Sequence, residues 1–236
     1  MLWRMRGYQP HANLLFLVAL ASAPGANALE ANKRIDVDFE VGVVSDYRFR
    51  GLTLTGKDPA LQAGLTVSLA NGAYSNIWAS TIDEYGAGPD GKGAIFEMDF
   101  TLGWAGRVGD YDLDASVQRY TYPGGDDVAY IEMPVTVSRD IGNANWTLGV
   151  AYAPSQAALG HQDNRYGWAA VSWTRDDVPL MLDLSLGYED GAYAPGGKWD
   201  WAVGMSRQFG TMRASVSYVD SDRSSAGVVA ALTSAF

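Results

Sequence analysis

Residues of three kinds in this sequence have types and spacings that could do chemistry. The largest set is acidic. Asp36, Asp38 and Glu40 alternate with apolar residues, as do the pairs Glu97 and Asp99, and Asp112 and Asp114, with single carboxylates at Glu132, Asp183 and Asp200. At a spacing of two, an extended chain turns such side chains to one side, which makes an electronegative wall that attracts cations. Against these ten stand Arg48, Arg50 and Arg213. Arg48 and Arg50 can be read in two ways. As an electropositive strip facing carboxylates across a gap, they would orient a dipolar or anionic solute in a transverse field. As structural residues, they would simply pair with Glu97, Asp99 or Glu132.

The other two sets point away from catalysis and metals. Asp110-x-Asp112-x-Asp114 has the alternation of a calcium loop but lacks its turn glycine and distal glutamate, so no metal is expected there, and no cofactor motif occurs elsewhere. His161 is the one histidine beyond the first 28 residues, and a histidine-activated serine or water at a membrane surface is the enzymatic alternative. It lies in a loop, and no G-x-S-x-G elbow accompanies it. The expectation is that the protein is not an enzyme.

The elements that hold these residues are strands. Ile35, Val37, Phe39, Val41 and Val43 oppose the first three carboxylates, and Leu61, Ala63, Leu65, Val67 and Leu69 oppose Gln62, Gly64, Thr66 and Ser68. Phe96 to Trp104 and Tyr111 to Val117 alternate in the same way about Gly109-Asp110, which reads as a hairpin. Further segments fall near residues 129–137, 146–152, 166–173, 180–188, 199–205, 212–218 and 228–236. A less regular segment at 74–82, whose two faces are not assignable, brings the total to about twelve. An even number suits a transmembrane antiparallel up-and-down β-barrel.

The connections alternate as well. Short links are expected at 71–72, 109–110, 139–144, 175–179 and 209–210. Longer or polar ones are expected at 45–58, 83–93, 123–127, 154–165, 190–197 and 220–226. Barrels of the outer membrane have short periplasmic turns and longer outer loops, so both termini are placed in the periplasm. Twelve strands ~4.8 Å apart, tilted by ~40°, imply a backbone diameter of roughly 24 Å and a bore on the order of 12 Å. Tyr47, Phe49, Trp104, Tyr111, Trp146, Trp173, Tyr188 and Trp199 are assigned to aromatic girdles at the two membrane surfaces. Carrying the period of two beyond residue 44 puts Asp46, Arg48 and Arg50 inward and Tyr47 and Phe49 outward, ahead of a loop that could fold into the lumen. A soluble β-sandwich shares the alternation but gives no reason for that aromatic load.

Composition sets the frame. Arg4 and Arg6, the apolar run 14–21 and Ala26-Asn27-Ala28 form a signal peptide, with cleavage after Ala28 and a single barrel domain at 29–236. Loss of those two arginines takes the formal charge of the 236-residue chain from −10 to −12, which makes nucleic acid an unsuitable partner. Absence of cysteine excludes disulfides and thiolate sites. No later stretch approaches the ~18 apolar residues of a membrane helix. The terminal Phe236 is the kind of residue that outer-membrane proteins present to their assembly machinery.

The run Ser45-Asp46-Tyr47-Arg48-Phe49-Arg50-Gly51 resembles the TorF-type putative porins of proteobacteria, as do Asp58-Pro59-Ala60-Leu61-Gln62, Trp78-Ala79-Ser80, Tyr120-Thr121-Tyr122-Pro123 and Tyr130-Ile131-Glu132. Leu52-Thr53-Leu54-Thr55 departs from the more polar, serine-rich stretch expected after the first run. The resemblance implies an outer-membrane barrel and passive transport, and brings no set of functional residues with it. Together with the ten carboxylates, it leads to the expectation of a porin-like channel in outer-membrane lipid that passes small hydrophilic solutes and weakly prefers cations. The pore-lining set would be Asp36, Asp38, Glu40, Arg48, Arg50, Glu97, Asp99, Asp112, Asp114, Glu132, Asp183, Asp200 and Arg213. A lipid-modifying hydrolase and an occluded structural or adhesive barrel are the alternatives.

Overall fold

Strict alternation of β-branched and aromatic residues with polar ones offers a helix no face to bury, but it suits a sheet whose two sides meet different solvents. The computed structural model describes residues 35–175 and 177–236. The expected signal peptide, residues 1–28, lies outside the described residues. Twelve long strands form one closed antiparallel barrel: β1 (Ile35–Val44), β4 (Ala60–Leu69), β5 (Ala73–Tyr85), β6 (Ala94–Val108), β7 (Tyr111–Thr121), β8 (Tyr130–Ile141), β9 (Ala144–Gln156), β10 (Gln162–Arg175), β11 (Val178–Gly191), β12 (Ala194–Phe209), β13 (Met212–Ser221) and β14 (Ser224–Ala235). Each pairs with its neighbours in the sequence of long strands, and β1 closes the ring on β14 with Glu40 opposite Ala235 and Val44 opposite Ala231. Closure leaves no strand edge, as hydrocarbon requires. Two short strands, β2 (Arg48–Phe49) and β3 (Leu52–Thr53), form a separate hairpin.

The outside of the ring is apolar. Along β1 the residues Ile35, Val37, Phe39, Val41 and Val43 are all exposed, and Leu102, Leu148 and Val150 are at least 60% exposed. An apolar belt of this extent is intolerable in water and natural in lipid. Trp104, Tyr111, Trp146 and Trp173 stand outward near the tight-turn end, here called lower, and Tyr188 and Trp199 near the opposite, upper end. The soluble sandwich fails because the twelve long strands form one closed sheet whose outer, apolar face no second sheet covers among the described residues.

Three sequence expectations are revised. The upper connections at 190–197 and 220–226 are mostly strand, since β11 and β12 are separated only by residues 192–193, and β13 and β14 by 222–223. Likewise β9 and β10 reach into 154–165, leaving a 3-10 turn at Ala157–Leu159 between them. Finally, the unassigned strand β5 points Tyr74 and Trp78 into the barrel. Its inner face alternates these two rings with the polar Asn76 and Ser80. A Cβ at Gly103, on the adjacent strand, would lie 2.4 Å from the Tyr74 ring. Trp168 lies over Gly149 in the same fashion.

Candidate functional site

After Val44 the chain leaves the wall. Ser45 is tied back to β14 by its backbone N–H on the Ala230 carbonyl and by its Oγ, which accepts from the Ala230 N–H. Residues 46–59 then turn into the barrel, and β2 and β3 meet at a tip formed by Arg50 (φ 48°) and Gly51 (φ 83°). Two consecutive positive φ values make the tight primed turn that a twisted hairpin needs. Gly51 has no alternative residue. A Cβ there would sit 2.7 Å from Ser221 Cβ and 2.9 Å from the Asp220 carbonyl oxygen, so the tip is pressed against β13. Arg50 holds its conformation at a cost of about 1–2 kcal/mol, which its side-chain contacts must offset.

Those contacts form a clamp. Arg50 Nη2 binds Glu132 Oε2 at 2.6 Å and Nη1 binds Glu189 Oε1 at 2.7 Å. Lys198 Nζ binds the other oxygen of Glu189 at 2.7 Å and also donates to the Arg50 carbonyl. Asn164 donates to Glu189, Tyr120 to Glu132, and the guanidinium lies 4.2 Å from the Tyr166 ring centroid. Two cations thus face two carboxylates, all four side chains buried. Burial opposes the charge on Arg50, but Glu132 and Glu189 outweigh it and hold the group well above its ordinary range.

The rest of the loop is equally anchored. Tyr47 donates to Glu97 Oε2 at 2.7 Å and meets Trp78 edge-on, while Tyr122 donates to the second oxygen of Glu97. Burial, and then the charges of Glu97 and Asp99, push both phenols upward, so each stays a donor. Arg48 binds Asp46 at 2.6 Å and donates to the carbonyls of Gly51 and Ser225. Its guanidinium occupies the space over Gly227, where a Cβ would lie 2.5 Å from Nη2.

Two expectations from sequence are corrected here. Tyr47 and Phe49 are not in an outer girdle, because β1 ends at Val44 and the loop carries both inside, where Phe49 packs on Tyr120. Arg48 pairs with its near neighbour Asp46, not with Glu97, Asp99 or Glu132, while Arg50 does take Glu132. Two residues of the clamp, Glu189 and Lys198, were missed. The signal existed: steps of two from Asp183 reach Glu189, and one step of two back from Asp200 reaches Lys198.

Of the thirteen expected lining residues, eleven stand on strands at positions alternating with the lipid-facing ones, while Arg48 and Arg50 lie on the loop and reach back to the wall, and the set falls at two levels. Arg48, Arg50, Glu97, Asp99, Glu132 and Asp200 lie in the upper lumen and are buried. Every long strand except β14 adds a buried inward residue, Trp78, Gln118, Ala153 and Val219 among them. The loop and these side chains fill the upper lumen, so the expected ~12 Å bore does not run through it in this conformation. Below the loop the lining is polar and half-buried, as at Asp38, Glu40, Thr66, Asp112, Ser138 and Asp183. Asp36 is exposed near the lower end. Tyr74 donates to Asp114, Ser172 to Asp183, and Arg213 to Gln208. Among the described residues no group of three or more acidic, histidine or cysteine side chains could hold a metal. His161 is exposed in the turn after the 3-10 helix, with φ 60°.

Solved structures with the same architecture are porins. The NanC porin superposes with a TM-score of 0.54 at 12% identity, covering 84% of this chain and 98% of its own. The KdgM porin gives 0.55 at 7% identity, covering 85% and 97%, and a second KdgM structure, in complex with disordered oligogalacturonate, gives the same values. At these identities the likeness is one of fold. No curated protein matches the chain. A family model described as a bacterial protein of unknown function (Gcw_chp) matches residues 28–234.

Proposed function

The chain belongs to the Gcw_chp family of bacterial proteins, whose function is unknown, and we propose that it is an outer-membrane channel for passive diffusion of small hydrophilic solutes. In this reading it is a porin of the TorF type that its first loop resembles, with both termini in the periplasm. The observation that carries it is the pairing of a lipid-compatible exterior with a polar lower lumen inside one closed twelve-stranded ring. Delivery by the outer-membrane assembly machinery belongs to the same proposal. Phe236 exchanges both backbone hydrogen bonds with Phe39, so the last residue is part of the seam that closes the barrel.

Charge argues for cations. Upper carboxylates are largely engaged, Asp46 by Arg48, and Glu132 and Glu189 by Arg50 and Lys198. The lower lumen keeps Asp36, Asp38, Glu40, Asp112, Asp114 and Asp183 against Arg213 and Arg107, the latter 3.9 Å from Asp112, an acidic excess that disfavours a polyanion such as the oligogalacturonate of the KdgM complex. Conduction in this reading requires residues 46–55 to leave the upper lumen. The filled upper lumen favours a second reading, an occluded structural or adhesive barrel.

Planar-bilayer recording separates the two. The unmodified protein is compared with a variant whose residues 46–55 are replaced by a short Gly-Ser linker. The channel reading expects rare or small openings in the first and steady, cation-preferring conductance in the second. Silence in both, with correct insertion shown by heat-modifiable mobility, supports the occluded barrel instead.

A further inference from the structure

Glu132 and Glu189 stand on β8 and β11, two wall strands that do not pair with each other, yet both carboxylates aim at one guanidinium. Arg50 Nη2 reaches Glu132 Oε2 at 2.6 Å, Nη1 reaches Glu189 Oε1 at 2.7 Å, and the Tyr166 ring centroid lies 4.2 Å from the guanidinium carbon. A carboxylate at each tip of the fork and an aromatic face beside it are contacts that tell a guanidinium from an ammonium, which is compact and has no flat face. The wall seats its own ammonium elsewhere. Lys198 Nζ takes the other oxygen of Glu189.

The receptor side is assembled by wall residues. Asn164 and Lys198 hold Glu189, Tyr120 donates to Glu132, and the Tyr166 hydroxyl is fixed on Asp200. None of these four contacts involves the loop. The occupant, by contrast, comes from a hairpin that forms a small sheet of its own, and Arg50 sits there at φ 48°, which costs an L-residue energy that its contacts must offset.

Charge points the same way. Asp200 has Lys198 and Arg50 within electrostatic reach, so with the loop docked three carboxylates, Glu132, Glu189 and Asp200, face two cations. With Arg50 gone they face Lys198 alone. A buried carboxylate stripped of its counter-charge is strongly unfavourable, so the emptied site calls for a cation. Conduction empties it, because residues 46–55 must then leave the upper lumen.

We propose that Glu132, Glu189 and Tyr166 form a binding site for a small solute bearing a guanidinium group, with Arg50 as its built-in occupant, which such a solute replaces when the loop leaves. The exchange during permeation rests on the channel reading, but the existence of the site does not. Loss of the Arg50 side chain alone gives access to it. A cavity of about 40 Å³ beneath the tip is lined by Arg50 and Tyr166 and, lower down, by Ser172, Asp183 and Ser185, which are half-buried. Removing that side chain joins its space to the cavity and, past those three residues, to the polar lower lumen.

Isothermal titration in detergent micelles tests this with methylguanidinium, and with methylammonium as a cation of equal charge that lacks the fork. Two proteins expose the site: Arg50→Gly, in which glycine suits the positive φ, and, should that misfold, the barrel whose residues 46–55 are replaced by a Gly-Ser linker. Each should bind methylguanidinium at one saturable site, with methylammonium about tenfold weaker or more, since a charged hydrogen bond is lost. The unmodified protein, with Arg50 in place, should bind methylguanidinium at least about tenfold more weakly than either, because the same charged hydrogen bonds are already taken. Adding Glu132→Gln to either variant should weaken methylguanidinium by about tenfold or more. Methylammonium binding as tightly as methylguanidinium, undiminished binding after Glu132→Gln, equal binding by the unmodified protein, or no binding by the folded variants would each overturn the proposal. Bilayer recording of the loop-replaced barrel separates the two readings. Methylguanidinium binding without conductance sinks the channel and keeps the site, and conductance without that binding does the reverse.

Discussion

Replacing Arg50 by methionine removes the cation at the centre of the loop clamp while keeping its length and apolar stem. Two ion pairs at 2.6 and 2.7 Å are lost, with side chains only 5% and 2% exposed. The two carboxylates then fare differently. Glu189 keeps Lys198 at 2.7 Å, whereas Glu132 keeps the hydroxyl of Tyr120 but no ion pair among the described residues. The cost is thus dominated by one buried carboxylate without a counter-charge, and breaking such a pair typically costs about 3–5 kcal/mol. Adding Glu132→Gln removes that charge and leaves an acceptor for Tyr120, so the double variant should sit within about 2 kcal/mol of the unmodified protein. Urea unfolding in detergent micelles, followed by tryptophan fluorescence, measures both, because the chain has eight tryptophans. A loss below about 1 kcal/mol for Arg50→Met, or a double variant no more stable than the single, would refute the reasoning that the clamp is held by neutralised buried charge.

Gly51→Ala should destabilise the docked loop by about 2 kcal/mol or more, since strain at positive φ adds to the collision with β13, while Gly109→Ala, at φ 62° with open space around it, should cost only about 1 kcal/mol. Urea midpoints compare them. Single cysteines at Ala87 or Ala157 should react with a membrane-impermeant thiol reagent on intact cells, and those at Asn71 or Asn143 should not; the reverse pattern would invert the proposed orientation. In the loop-replaced variant, reversal potentials under a salt gradient should show cation preference, reduced when Asp36, Asp38 and Glu40 become amides, because charges across a gap of ~12 Å are only partly screened where the Debye length is about 8 Å. Anion preference would mean that the lower carboxylates do not govern permeation. His161→Ala should leave lipid hydrolysis by the purified protein unchanged, and loss of a measurable activity on that change would reinstate an enzyme.

The barrel was legible because its two sides meet different solvents. Lipid demands an apolar side chain at every second residue, and Ile35 to Val43 against Asp36 to Glu40 writes that demand without ambiguity. On β5 the same logic fails, since Tyr74 and Trp78 replace polar residues inside. What permits the Tyr74 ring is Gly103 on the next strand, a relation across the sheet that no local period contains. The loop was misread for a related cause. Extending the alternation past Val44 assumes a continuing strand, but the chain leaves the wall there, carries Tyr47 and Phe49 inside and reverses at the positive-φ pair Arg50-Gly51.

Clamp chemistry was half legible. Arg50 and Glu132 were both in view, and carrying the alternation a little further would have added Glu189 and Lys198. The choice among carboxylates was not, because it depends on how β8, β11 and β12 are staggered around the closed ring and on where the hairpin tip meets them. Side chains written at alternate positions therefore specify what the lumen is made of. Whether a continuous passage crosses its upper half depends, in the channel reading, on the docking of residues 46–55, which couples Arg50 to Glu132, Glu189 and Lys198 and seats Gly51 against β13. In the channel reading, a change at any of these contacts should alter passage between the upper mouth and the lower lumen without altering the charge of that lower lining, which separates the gate from the filter.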